Sequence, residues 1–115
     1  MAEPQWVLLV TAYVDPSVEA DWNRWYDAVH VPEILACPGV HRAIRCETGE
    51  ATSVRGFAPR PEEAQRGYIA IYDIDGPQVL ETPEFAKARG WRQFSDQVKS
   101  TTRVYRKRGS FSKPA

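Results

Sequence analysis

Residues 22–35 of this chain read WNRWYDAVHVPEIL, and the spacing of their large apolar side chains is typical of an amphipathic helix. One helix face is predicted from five positions spaced three, four and seven residues apart: Val18, Trp22, Trp25, Tyr26 and Val29. Because Pro32 disfavours helical geometry at the residue before it, we expect this helix to end or kink around His30.

Strand patterns lie on both sides of this helix. β-Branched and aromatic residues or regular alternation predict four strands, at 6–13, 40–46, 68–74 and 101–107. A second helix is predicted to begin after Thr82, which serves as its N-cap, and Gly90 weakens or ends it. The resulting order βαββαβ predicts an α+β fold of ferredoxin-like type, an antiparallel sheet with both helices on one face.

The first strand, 6–13, is apolar on both of its faces. Helices in this arrangement cover only one face of the sheet, so another surface must cover the second face. A second copy of the chain is the simplest cover, and we therefore predict a homodimer.

Length and composition limit the classes of protein that fit. The 115 residues, 43% of them hydrophobic, are about the size of one domain over 1–115, with a long loop at 47–67 and a loose tail at 109–115. Fifteen basic and fifteen acidic side chains give a net charge of zero, which argues against a general nucleic-acid binder. No apolar run has the length of a membrane span and no secretory signal is visible, so we expect a cytoplasmic protein that does not bind membranes.

Metal and cofactor motifs are also absent from the sequence. The two cysteines, Cys37 and Cys46, do not have zinc-ligand spacing, and we expect both to be reduced thiols. Glycine-rich phosphate loops, nucleophile elbows and dinucleotide fingerprints do not occur. So short a chain also provides few residues to form a pocket around a haem. We therefore predict a protein with no cofactor and no metal site.

The helix motif, followed by Pro38-Gly39-Val40 and by Arg45, resembles the dimeric α+β barrel superfamily, and within it the EthD-like small proteins. In those proteins a first helix ending in W-Y-x-x-x-H-x-P-E, as at residues 25–33 here, leads into P-G-V and a strand. The segment 68–74, followed by 77–80 and by Thr82-Pro83-Glu84-Phe85, resembles their second half. The resemblance covers most of the chain apart from 47–67 and the tail.

This resemblance implies the fold more strongly than any reaction. The superfamily includes cofactor-free monooxygenases, muconolactone-type isomerases, aromatic polyketide cyclases and haem enzymes. In several cofactor-free members, a pocket between the sheet and the helices holds a histidine or another acid/base residue. The resemblance places that role on His30 alone, because a shared fold does not fix the chemistry.

His30 is also the main catalytic candidate on the residues themselves. It follows Tyr26 by four positions and Trp22 by eight, so all three share one helix face directed at the sheet. The helix dipole favours the imidazolium and burial opposes it, so we expect a pKa near neutral, suited to proton transfer. The alternative is that His30 only caps the helix and hydrogen bonds near Asp27 or Glu33.

Other side chains are candidates for binding a substrate. Tyr26 is assigned to the catalytic group with His30, and a tyrosine hydroxyl also suits a carbonyl or phenol substrate. The substrate-binding candidates are aromatic residues and one arginine: Trp22, Tyr68, Tyr72, Trp91 and Arg42. For the aromatic residues the alternative is ordinary core packing. Arg42 and Arg45 point to opposite faces of their strand, so only one can face the buried side, and for it a salt bridge with Asp73 is the alternative to substrate binding.

Together these features predict a small cofactor-independent enzyme that acts on a hydrophobic carbonyl-bearing or aromatic metabolite. His30 would move a proton in an isomerisation, cyclisation or elimination. Two alternatives remain open at this point: a non-catalytic module for ligand binding or dimerisation, and a cofactor-free monooxygenase.

Overall fold

The computed structural model describes residues 3–48 and 67–115. Its four strands are β1 (Trp6–Val14), β2 (Val40–Glu47), β3 (Gly67–Ile74) and β4 (Val98–Arg106). They form one antiparallel sheet in the order β2-β3-β1-β4. The predicted ferredoxin-like α+β topology is therefore confirmed.

The first helix is continuous over 19–35 and does not end at His30. It consists of α1 (Glu19–Trp25), a π-helical turn (Tyr26–His30) and α2 (Val31–Leu35). The Val31 N–H donates to the carbonyl of Tyr26, five residues earlier. The helix therefore does not end at His30. The disruption expected there is this wider turn, which accommodates Pro32, whose ring would clash with the preceding turn of a regular α-helix.

The second helix of the same layer is short and interrupted. A 3-10 turn (Pro77–Glu81) leads to α3 (Pro83–Ala88), and the Thr82 side chain accepts a hydrogen bond from the Phe85 N–H as predicted for an N-cap. The helix ends before Gly90, which has a φ of 99° that a residue with a Cβ rarely adopts. The segment between α3 and β4 therefore leaves the helical layer at Gly90.

The helical layer covers one face of the sheet. Alternate residues of β1 and β3 are buried beneath it, among them Leu8, Ala12, Tyr72 and Ile74. Their neighbours point to the opposite face, which we call the open face because the described helices do not cover it. On the open face, β1 and β3 carry Val7, Leu9, Ile69 and Ile71, all of them only partly buried.

A β-bulge changes the alternation at the start of β2. Val40 pairs with Ile74 and Arg42 pairs with Asp73, so β2 uses one more residue than β3 over this step. Beyond the bulge, the side chains of Ala43 and Arg45 lie on the helix-covered face and that of Arg42 lies on the open face.

The sequence also predicts a long loop at 47–67 and a loose tail at 109–115. Residues 49–66, most of the loop predicted at 47–67, lie outside the described residues. The tail at 109–115 has no helix or strand and is exposed to solvent. In the part of the chain that is described, no helix has the length and apolar character needed to cross a membrane.

Candidate active site

His30 lies within a cluster of aromatic rings on the helix-covered face. It is 5% exposed, and its imidazole stacks on Trp25 with ring centroids 4.9 Å apart and planes at 18°. Tyr26 meets it edge-on at 4.9 Å, and Trp91 lies at 5.3 Å with a tilt of 47°. The shared face predicted for His30 and Tyr26 is confirmed, and Trp25 adds a stacking partner that the sequence assigned to the core.

The imidazole of His30 is held in its neutral form. Its pKa is lowered to about 4, first because burial disfavours the charged ring, and then because the guanidinium groups of Arg92 and Arg45 repel a further positive charge. The expectation of a pKa near neutral is therefore corrected: the sequence does not reveal that both cations face this ring. Nδ1 of His30 is buried and has no hydrogen-bond partner among the described residues.

A cavity of about 340 Å³ opens beside His30 between the sheet and the helical layer. This is within the size range of small-molecule sites. Most of its wall is apolar, from β1, α2 and the segment 80–85: Leu8, Val10, Ile34, Leu80 and Phe85. His30, Tyr72 and Trp91, three of the predicted site residues, line the same cavity.

Tyr72 contributes a second buried polar atom to this cavity. Its hydroxyl has no hydrogen-bond partner of good geometry among the described residues. Burial raises the pKa of the Tyr72 phenol far above its usual value, and burial also raises the pKa of Tyr26. Both phenols are therefore protonated at neutral pH. The two hydroxyls also interact, since after burial the next effects on the pKa of Tyr72 come from Tyr26, and a ligand that accepts the Tyr72 hydrogen would replace this contact.

Arg45, rather than Arg42, is the arginine on the helix-covered face. Its guanidinium carbon lies 3.9 Å from the Tyr26 ring centroid. Its nitrogens donate to Asp27 at 2.6 Å and to Asn23 at 2.8 Å. Arg42 is on the open face, 4.0 Å from Asp73, so the structure does not bring it to the cavity.

Trp22 and Tyr68 support the cluster from outside the cavity wall. Trp22 is fully buried, and its ring packs 5.2 Å from Tyr26 and 5.1 Å from Tyr68. The Tyr68 hydroxyl donates to the carboxylate of Glu19 and accepts from Asn23 at 3.0 Å. Neither residue lines the cavity: Trp22 contacts its wall through Trp91, at 5.8 Å, and through Tyr26, and Tyr68 is connected to it through Trp22 and α1.

The rim of the cavity is built by the segment that follows α3. Trp91 donates from its indole N–H to the Ser100 hydroxyl at 2.9 Å, which ties this segment to β4. Arg92 has a φ of 50° and donates to the carboxylate of Glu33 on α2. These two contacts hold Trp91 beside His30.

Sequence reasoning missed several cavity residues. Arg89, Ser100 and Thr102 contribute polar groups to the wall, and their positions follow from the end of α3 and from alternation along β4. Among the described residues there is no group of three or more side chains of metal-ligand type. The chemistry available here is that of a neutral imidazole, a phenol hydroxyl and a guanidinium around an apolar hollow.

Comparison with known families finds one match over almost the whole chain. The family model described as "Domain of unknown function (DUF4286)" matches residues 5–107. No curated protein matches the sequence.

Solved structures with this fold include three that are informative. A variant of SnoaB, a cofactor-independent oxygenase from Streptomyces nogalater, has a TM-score of 0.59 at 13% identity and covers 95% of this chain and 99% of its own. An EthD family protein from Bacillus halodurans has a TM-score of 0.56 at 18% identity, with 89% and 98% covered.

The third structure is the monooxygenase of the ActVA-Orf6 gene of Streptomyces coelicolor, in complex with nanaomycin D. It has a TM-score of 0.56 at 14% identity, with 96% of this chain and 94% of that chain covered. The resemblance to the dimeric α+β barrel superfamily is thus confirmed at the level of the fold.

Proposed function

We propose that the chain, which belongs to the DUF4286 family, is a small enzyme that acts without a cofactor on a hydrophobic carbonyl-bearing or aromatic molecule. The observation that carries the proposal is that two buried polar atoms, His30 Nδ1 and Tyr72 Oη, belong to residues of one apolar cavity and form no hydrogen bond of good geometry with a described residue. Leaving such atoms without partners costs stability, so a ligand that pairs with them is a reason for their presence.

The proposed reaction begins with proton transfer to His30. A neutral imidazole takes a proton from a carbon beside the substrate carbonyl, and Tyr72 donates a hydrogen bond to the oxygen on which negative charge develops. The low pKa makes His30 a weak base in the empty site. The developing anion changes this, because a negative charge beside the ring stabilises the imidazolium that burial and the two arginines disfavour.

Oxygenation is the second candidate, and the solved structures favour it. SnoaB is described as a cofactor-independent oxygenase and the ActVA-Orf6 protein as a monooxygenase. In such a reaction the substrate itself is the reductant. A CH₂ group becomes a carbonyl with one oxygen atom of O₂, and the second oxygen atom leaves as water with the two hydrogens.

Two probe reactions separate these candidates. α-Tetralone, an aryl ketone, reports proton transfer as deuterium uptake beside its carbonyl in D₂O, measured by NMR. Anthrone reports oxygenation as enzyme-dependent consumption of O₂. Proton transfer predicts deuterium uptake that does not need O₂, whereas oxygenation predicts that turnover stops under anaerobic conditions.

Variants connect these reactions to the cavity. We expect His30→Gln to lower the deuterium-uptake rate by about 10²–10⁴-fold and Tyr72→Phe by about 100-fold. His41→Gln is the matched control, since His41 is the other histidine and pairs with Asp75 at the surface. Equal rates for the two histidine variants would contradict the role of His30. No reaction of the wild type with either probe would favour the non-catalytic binding module.

The same proposal includes a homodimer formed through the open face. Ile44 and Tyr105 are 47% and 42% exposed there, beside the partly buried aliphatic residues of β1 and β3. An apolar sheet face of this kind is an unusual surface for a monomer, and two identical faces can pack around a two-fold axis. The fold also supports it, since the superfamily is one of dimeric barrels. The cavity is on the other side of the sheet, so each protomer would keep its own site.

A further inference from the structure

We infer that the cavity is selective for ligands with a carboxylate, and that Arg89 is the residue that recognises it. This inference rests on the proposed function, because it assumes that a small molecule occupies the cavity. It goes further by naming the charged group of that molecule and the side chain that binds it.

Arg89 is distinguished from the other arginines by lying on the wall of the cavity, and it also has no acidic partner among the described residues. It immediately follows α3 and lines the cavity, where it is the charged residue among the described lining residues. Its guanidinium has no hydrogen bond or ion pair with a described residue. Arg24, Arg42, Arg45 and Arg92, by contrast, each have a carboxylate within 4.0 Å.

The surroundings of Arg89 favour an anion and no other kind of charged group. None of the described lining residues is acidic, and Glu33, on the neighbouring α2, is already bound to Arg92. Arg45 and Arg92 add positive charge close to His30. These arginines would therefore repel a cationic ligand, whereas an anionic ligand could pair with the guanidinium of Arg89.

The space and the donors at this point also fit a carboxylate. A Cβ built on the adjacent Gly90 would meet no atom within 4 Å, so the rim beside Arg89 is open. A guanidinium offers two parallel N–H groups that match the two carboxylate oxygens. Ser100 accepts the indole N–H of Trp91, which leaves its own hydroxyl hydrogen free to donate.

The ligand inferred from this arrangement has three parts. Its carboxylate binds Arg89 at the rim, an apolar or aromatic body fills the hollow between the sheet and α3, and a carbonyl or hydroxyl bonds to His30 Nδ1 or to the Tyr72 hydroxyl. An aromatic or polycyclic keto acid has this chemistry, whereas an uncharged ketone of the same shape lacks the first contact.

Matched probes of equal shape test this inference by titration calorimetry. The panel is benzoate, 2-naphthoate and 2-anthroate, each compared with its uncharged amide. We expect at least one carboxylate to bind the wild-type protein about tenfold more tightly than its amide, and added salt to reduce this ratio because the rim faces solvent. Arg89→Gln should bring the ratio close to one while amide affinity stays unchanged.

Arg108→Gln is the control for net charge, since it removes one exposed arginine that follows β4, and it should keep the wild-type ratio. Arg89→Lys should retain only part of the preference, because an ammonium lacks the paired N–H groups. Equal binding of carboxylates and amides, or an unchanged ratio in Arg89→Gln, would overturn the inference and leave the proposed function intact. Failure of every probe to bind the wild type would overturn both.

Discussion

The two faces of the sheet are made by the same strands but differ in what their polar residues do. On the helix-covered face, His30, Tyr72 and Arg45 lie among aromatic rings, and each has a buried polar atom without a hydrogen bond of good geometry to a described residue. On the open face, Asp73 is 4.0 Å from Arg42 and 3.3 Å from Lys107 at one end, the neighbouring residues of β1 and β3 are aliphatic, and Arg103 of β4 lies opposite Leu9. Buried polar atoms thus mark the face with the cavity, and a mostly apolar surface marks the face that we propose for association.

The largest expected effect is on packing beneath the helices. Trp22→Ala should lower the free energy of unfolding by about 4 kcal/mol, because the indole is fully buried among three other aromatic rings. Urea denaturation at a fixed protein concentration measures it. Phe111→Ala, at a residue 94% exposed, should change the same quantity by less than about 0.5 kcal/mol. A loss below about 1 kcal/mol in Trp22→Ala would show that the covered face tolerates cavities.

The second effect is a dependence of stability on pH that comes from His30. Its pKa is about 4 in the folded chain and about 6.5 when unfolded, so the unfolded chain takes up the proton first as the pH falls. The wild type should lose up to about 3 kcal/mol of stability relative to His30→Gln between pH 6.5 and 4, with no further loss below that range.

Denaturant titrations of the wild type and His30→Gln across this range give the difference directly. Parallel curves for the wild type and His30→Gln would mean that the buried ring has an ordinary pKa.

The third effect concerns the open face. Ile71→Asp places a carboxylate at the middle of that face, opposite Leu9 in the register, and should raise the dissociation constant of the dimer at least about 100-fold. Sedimentation equilibrium measures the constant. Ala20→Asp adds the same charge to the exposed side of α1 and should leave it unchanged. A wild-type protein that sediments as a monomer would refute association.

The fourth effect compares the two arginines of β2. Arg45→Met should cost about 2 kcal/mol of stability, because its guanidinium bonds Asp27 and Asn23 and lies on the Tyr26 ring. Arg42→Met should cost less than about 0.5 kcal/mol, since its side chain is exposed and its contact with Asp73 is long. Thermal and urea unfolding of both variants test this, and equal costs would contradict the assignment of Arg45 to the covered face.

The smallest effect has the opposite sign. Tyr72→Phe removes a buried hydroxyl that interacts with the Tyr26 phenol but forms no hydrogen bond of good geometry with a described residue, so we expect this variant to be up to about 1 kcal/mol more stable than the wild type. The same substitution should slow the reaction, which separates a functional hydroxyl from a structural one. A clear loss of stability in urea would mean that the hydroxyl has a structural partner after all.

Much of the covered face could be predicted from residue spacing. The period of residues 22–35 brought Trp22, Tyr26 and His30 to one side, and alternation placed Tyr68 and Tyr72 on the same side of β3. These patterns are local, and the regular geometry of a helix or strand fixes the direction of each side chain from its position in the pattern.

The remaining features depend on contacts between distant segments. The choice between Arg42 and Arg45 follows from the bulge at the start of β2, because one extra residue reverses which side chains point inward. The low pKa of His30 depends on Arg92, which is 62 positions away in the chain and reaches the ring only through the fold. Neither fact leaves a signal in local composition.

The π-helical turn at Tyr26–His30 has a consequence for recognising relatives of this chain. It adds one residue to a turn, and each residue advances a regular helix by about 100°. A homologue without the added residue would need its histidine or its following proline shifted by one position to present the same ring to the hollow. Sequence comparisons that align W-Y-x-x-x-H-x-P-E without a gap would then pair residues that do not occupy the same place, so alignments of such proteins should permit a one-residue gap here.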